Sequence, residues 1–231
     1  MIRSAAVALL LCLGGCSGLL HSSASLEQVY YLRATTRPAP ADTARPATAA
    51  SVHVGRPIAA PGLDSSHIVL LESDRRMSYF MASRWPGPLP EVVEELASQV
   101  LRASAAWSTV QSSESPFPSD YMLQIRIRHF EADYSSAGPG PGPAGSVRSG
   151  SGAPEAHVVL DCTIGRRAGR EIVGTFVVEG SAAAAANRLA DVVAAFEDAT
   201  NQALTSMSAQ AVEAVREANQ KVDRPVPSMN R

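Results

Sequence analysis

A chain does chemistry with a few residue sets, and each is thinly represented among these 231 residues. The five histidines, His21, His53, His67, His129 and His157, show no His-x-His, His-x-x-Glu or His-Glu-x-x-His spacing. A zinc-type centre needs three or four convergent nitrogen, sulfur or carboxylate donors. His129 and His157 lie on segments that can be neighbouring strands, but no acidic third ligand accompanies them in this reading, so no metal site is expected. There is no Gly-x-Ser-x-Gly elbow for a serine nucleophile. Lys221 is the only lysine, which excludes a Gly-Lys-Ser/Thr phosphate loop. Gly138-Pro139-Gly140-Pro141-Gly142 superficially has the look of one, yet proline removes the N–H groups that would hold a phosphate. Cys162 falls on the apolar side of an alternating segment and reads as a small buried hydrophobe. Its neighbour Asp161 points the other way, where Arg126 or Arg128 can pair with it. No catalytic residue, metal or diffusible cofactor is expected, and the chain is not expected to be an enzyme.

The one covalent chemistry the sequence does signal is at Leu13-Gly14-Gly15-Cys16. Arg3 precedes the apolar run Ala5–Leu13, which at about nine residues falls far short of the ~20 needed to span a membrane. The small residues Gly14 and Gly15 let an extended chain enter a peptidase cleft, and the Cys16 thiol can become a thioether to diacylglycerol. All four positions resemble the lipobox of bacterial lipoproteins. Residues 1–15 are then a signal peptide, and residues 16–25 the lipidated N-terminus and its spacer. Cys12 is lost with the signal. Several acyl chains at roughly 0.8 kcal/mol per buried methylene make such an anchor effectively permanent. Ser17, rather than Asp, follows Cys16. Resemblance to lipoprotein sorting rules thus implies the periplasmic face of the outer membrane.

Behind the anchor lies an unexceptional domain. Twenty basic residues against 22 acidic ones give a net charge of −2, which leaves no clustered cations for a nucleic-acid surface. Loss of Arg3 with the signal makes it −3. A hydrophobic content of 45% is enough for a core. Residues 26–34 predict a strand centred on Val29-Tyr30-Tyr31-Leu32, and 35–51, rich in Pro and Ala, a loop. Val52–Val54 starts a strand that Pro57 and Pro61 limit to an edge or irregular segment. His67–Ser73 and Met77–Arg84 predict a hairpin. Pro90 opens a helix over Pro90–Trp107, with Val93, Leu96, Val100 and Leu101 on one stripe. Tyr121–Phe130 alternates Tyr121, Leu123, Ile125 and Ile127 inward against Gln124, Arg126 and Arg128. A Gly/Pro/Ser loop over 135–153 separates it from a second hairpin, Ala156–Ile164 and Glu171–Glu179, with Ile172, Phe176 and Val178 on one face of the return strand. A last helix runs from Leu189 to about Val215, and 219–231 reads as a frayed tail. The expected fold is a single α+β domain over 26–218, a mixed or antiparallel sheet with two long helices on one face.

Met77–Trp85 concentrates large apolar side chains beside Arg84. Alternation buries only one of its faces, leaving either Met77/Tyr79/Met81 or Phe80 partly exposed. Tyr79, Phe80, Arg84 and Trp85 are the candidate partner-binding patch.

A lipobox, Tyr30-Tyr31-Leu32, Val52-His53-Val54-Gly55-Arg56-Pro57, a hairpin ending in Ala82-Ser83-Arg84-Trp85, a Pro-initiated helix and an Ala-rich approach to a C-terminal helix follow in order. This order resembles the ABC-type transport auxiliary lipoprotein family, to which the lipoprotein of the paraquat-inducible system belongs. The resemblance implies a non-catalytic periplasmic accessory of a lipid-transport system, with an inner-membrane ABC permease and ATPase and an MCE-domain protein as partners. Self-association into a ring is compatible with meeting a tubular partner. The rival expectation is a cell-envelope structural or assembly lipoprotein with no transport role.

Overall fold

The computed structural model describes residues 26–35, 48–135 and 152–222. The lipobox with Cys16, most of the two predicted loops and the end of the tail lie outside the described residues.

The organising element is β7 (Tyr121–Asp133), the central strand of a mixed nine-stranded sheet. One edge pairs antiparallel along its whole length with β8 (Glu155–Arg166), which pairs in turn with β9 (Glu171–Ala183). The other edge is met by three short parallel strands in tandem, β2 (Ser51–Val54), β3 (Ile58–Ala59) and β4 (His67–Leu71). They behave as one long strand cut by prolines: Gly55 N–H and Ala60 N–H still donate to Leu123 and Ile127 carbonyls, whereas Pro57 and Pro61 have no donor to give. β5 (Met77–Arg84) pairs with β4, β1 (Gln28–Val29) with the end of β5, and β6 (Thr109–Gln111) with β2. Asp120 clamps the start of this system, its Oδ2 accepting from both Ser51 N and Ser51 Oγ at 2.7 Å. Those bonds hold its carboxyl below the ordinary aspartate range.

Two helices, α1 (Leu89–Ala103) and α2 (Leu189–Val222), cover the inner face. Val93, Leu96 and Leu101 of α1, Val192, Phe196, Leu204 and Met207 of α2, and Leu123, Ile125, Ile127, Leu160 and Ile164 of the sheet form one core. At its centre Phe130 stacks on Phe196 at 5.2 Å, and Trp85 meets both rings edge-on. The α+β expectation, with a mixed sheet and both helices on one side, describes this arrangement.

Five local expectations differ. The N-terminal strand keeps only two paired residues, because the chain then crosses α2: Arg33 N donates to Glu197 Oε2 and Thr35 N to Asn201 Oδ1. α1 stops at Ala103 rather than Trp107; the Ser104 hydroxyl caps the Leu101 carbonyl, Ala105 turns at φ +50°, and Trp107 folds back into the core. A bulge at Arg128 resets the alternation of β7, so that Phe130 and Ala132 point inward after Ile127. A second irregularity between Ile164 and Gly165 turns Ile172 outward and Val173 toward the core, the reverse of the predicted face. Finally, α2 continues past Val215 to Val222, where Asn219 Oδ1 accepts from Tyr121 Oη at 2.9 Å and Arg166 Nη2 at 3.2 Å.

Candidate functional site

The β4–β5 hairpin turns tightly, with Glu72 N–H bonded to the Arg76 carbonyl and the Arg76 guanidinium on Asp74 and Glu72. β5 then pairs with β4 on one side, while on the other, among the described residues, only Ser83 and Arg84 are paired, to β1. Met77–Ala82 is therefore an open edge among the described residues. The register breaks between His67 and Val69, Ala82 adopts φ +52°, and the Ser83 hydroxyl folds back onto the Phe80 carbonyl at 3.0 Å. This bulge separates two alternations. Before it, Met77, Tyr79 and Met81 face solvent, Tyr79 44% and Met81 93% exposed, and Phe80 leans on the core. After it, Ser83 and Trp85 are buried.

The four residues of the predicted patch thus separate. Tyr79 is open and lies 4.8 Å from the His67 ring. Arg84 is partly open and paired with Glu27 at 2.7 Å. Phe80 is half-buried. Trp85 is corrected outright: at 1% exposure, wedged between Phe130 and Phe196, it has no surface to offer a partner. Met77 and Met81 take its place, the face that period-two alternation left open as one of two choices. Leu26, Val29 and Tyr31 on and around β1 add exposed apolar surface at the same end of the sheet. Leu26 lies ten chain steps after Cys16, a reach of at most roughly 33–36 Å.

The side chains with chemical potential sit elsewhere. Cys162 is fully buried, and desolvation with the nearby Asp161 charge pushes its thiol up to about 12, so it stays protonated and inert. Asp161 pairs with Arg128 through both carboxylate oxygens on the outer sheet face. The expectation that His129 and His157 lack an acidic neighbour does not survive the fold. Glu131, directly opposite His157 across β7 and β8, places Oε1 2.8 Å from His129 Nδ1 and 3.7 Å from His157 Nδ1. His129-x-Glu131 on a strand puts both side chains on one face, a spacing helix-type motifs overlook.

A model of the ABC-type transport auxiliary lipoprotein component matches residues 30–210. This chain belongs to that family. Among curated proteins none matches the auxiliary lipoprotein. Of the solved structures it is similar to protein XCC0632 from Xanthomonas campestris, assigned to DUF330, at 22% identity and a TM-score of 0.70, over 84% of this chain and 99% of that one. It is also similar to an uncharacterized protein at 12% identity and a TM-score of 0.57, over 83% and 99% of the two chains. A PelC dodecamer from Paraburkholderia phytofirmans aligns at 13% identity over 75% and 94%, with a TM-score of only 0.38. The first two likenesses show the fold; the third is too distant to bear on assembly. The family is one of auxiliary transport lipoproteins and not a known enzyme family. No helix among the described residues is long and apolar enough to cross a membrane.

Proposed function

We propose that the auxiliary lipoprotein is anchored through Cys16 at the periplasmic face of the outer membrane and serves an MCE-type ABC lipid-transport system without catalysing a step. In this role the open β5 edge is where the MCE-domain protein docks. The observation that carries the reading is the coincidence of features at one end of the sheet. The N-terminal segment pairs there with β5, whose remaining edge is unpaired among the described residues and is flanked by Met77, Tyr79 and Met81. Edge strands recruit partners by strand addition, and aromatic and methionine side chains are enriched at the cores of interfaces. Family membership supports a transport accessory over a purely structural lipoprotein.

The test is affinity capture of the tagged, full-length protein from detergent-solubilised envelopes. The proposal expects an MCE-domain protein and its permease among the captured chains, and their loss with Tyr79→Asp in a folded variant. Capture of envelope-assembly proteins alone would support the structural-lipoprotein reading instead.

A further inference from the structure

We infer that His129, Glu131 and His157 form a site for one divalent transition-metal ion of the zinc type, on the sheet face opposite the helices. The bulge at Arg128 turns His129 and Glu131 outward beside His157 of β8. Their donor atoms all lie within 4.8 Å of one another. A four-coordinate ion with bonds of about 2.0–2.1 Å sets its donors about 3.3 Å apart. The two Nδ1–Oε1 distances, 2.8 and 3.7 Å, bracket that separation.

Orientation is already supplied. Glu131 Oε2 accepts from the Phe130 N–H at 2.6 Å, which fixes the carboxylate with Oε1 turned to the imidazoles. On the far side of His157, Nε2 lies 3.0 Å from Glu179 Oε1 on β9. A ligating histidine backed by a carboxylate on its other ring nitrogen is the usual outer-shell arrangement of metal sites, fixing the tautomer and the ring plane. The charge balance points the same way. Glu131 is only 7% exposed, and no arginine or lysine among the described residues pairs with it. A carboxylate so buried is held by hydrogen bonds or by a neighbouring cation, and a bound dication would supply the second. Two imidazoles with one carboxylate suit zinc rather than magnesium or calcium, which take oxygen donors. Three protein donors leave a fourth position for water or a ligand.

The test uses the full mature chain in detergent, stripped with a chelator and then titrated with zinc chloride and, separately, cobalt chloride. One equivalent per chain is expected, with the visible bands of tetrahedral cobalt and a zinc-dependent rise in melting temperature. His129→Ala, His157→Ala and Glu131→Gln should each weaken binding by more than the roughly tenfold expected for the outer-shell change Glu179→Gln. His67→Ala should leave it unchanged. Circular dichroism identifies variants that are folded, and Glu131→Gln retains the shape of the site if an alanine variant unfolds. Absence of saturable binding to the folded wild type would overturn the inference, as would affinity unaltered in the folded His129 and His157 variants.

Discussion

Gly180 of β9 packs directly against the backbone of α2. A Cβ placed there would stand 2.0 Å from the Ala199 carbonyl oxygen, 2.9 Å from its carbon and 3.0 Å from Ala203 N. All three are helix backbone, so no rotamer change relieves the clash. Bringing the nearest contact out to 3.0 Å moves α2 by about 1 Å. A gap of that size forfeits roughly a quarter to a half of each contact's dispersion energy along the helix. Phe196, Ala199, Ala203 and Leu204, all buried against the sheet, lose contact together. Overpacking of a core typically costs about 1–3 kcal/mol, and an immovable backbone partner puts Gly180→Ala at the top of that range or above, about 3 kcal/mol. At roughly 2–4 °C per kcal/mol for a domain of this size, the melting temperature falls by about 6–12 °C. Gly169→Ala is the contrast: φ is +81° but nothing lies within 4 Å, so only the left-handed penalty of about 1–2 kcal/mol applies. Urea unfolding followed by far-ultraviolet circular dichroism measures both. Gly180→Ala within 1 kcal/mol of wild type, or no worse than Gly169→Ala, would refute the packing argument.

Two further outcomes follow from buried groups. If Cys16 carries the proposed lipid thioether, the mature chain should show no thiol reactive with an aromatic disulfide when native and one in denaturant, since Cys162 is buried with its thiol pushed up to about 12; a fast-reacting native thiol would mean an unmodified Cys16. His53 is held below its ordinary value of 6.5, chiefly by burial and then by the Arg167 charge, against an opposing pull from Glu94. Below pH 6.5 the unfolded chain therefore binds a proton that the native imidazole resists, and stability declines as pH falls toward the lowered native value. Urea midpoints at several pH values should decline less steeply in His53→Gln than in wild type, and parallel slopes would count against the mechanism.

Where one physical signal dominated, the sequence was enough. The stripe of α1 and the alternation of Tyr121–Ile127 each report a face pressed on a core, and the structure places them so. What stayed hidden depended on breaks in period. The bulges at Arg128 and Ala82 shift a strand's phase by backbone geometry that no side-chain pattern announces. One of them turns the His129–Glu131 pair toward His157; the other buries Trp85 while leaving Tyr79 open. β3 and β6 are too short for alternation to register, and they exist because β7 offers β3 a partner and β2 offers one to β6. Trp85 carried the strongest interface signal by residue type, yet its rings and those of Phe130 and Phe196 assemble only when three distant segments meet.

The most direct test of the docking role is site-specific photo-crosslinking in living cells, with a benzophenone amino acid replacing Tyr79. The account expects an adduct between this edge and the MCE-domain protein, absent when the same probe replaces Ile172 on the exposed sheet face near the β8–β9 turn. An MCE adduct from position 172 with none from 79 would contradict it, as would no adduct from 79 in cells where the lipoprotein is present and anchored.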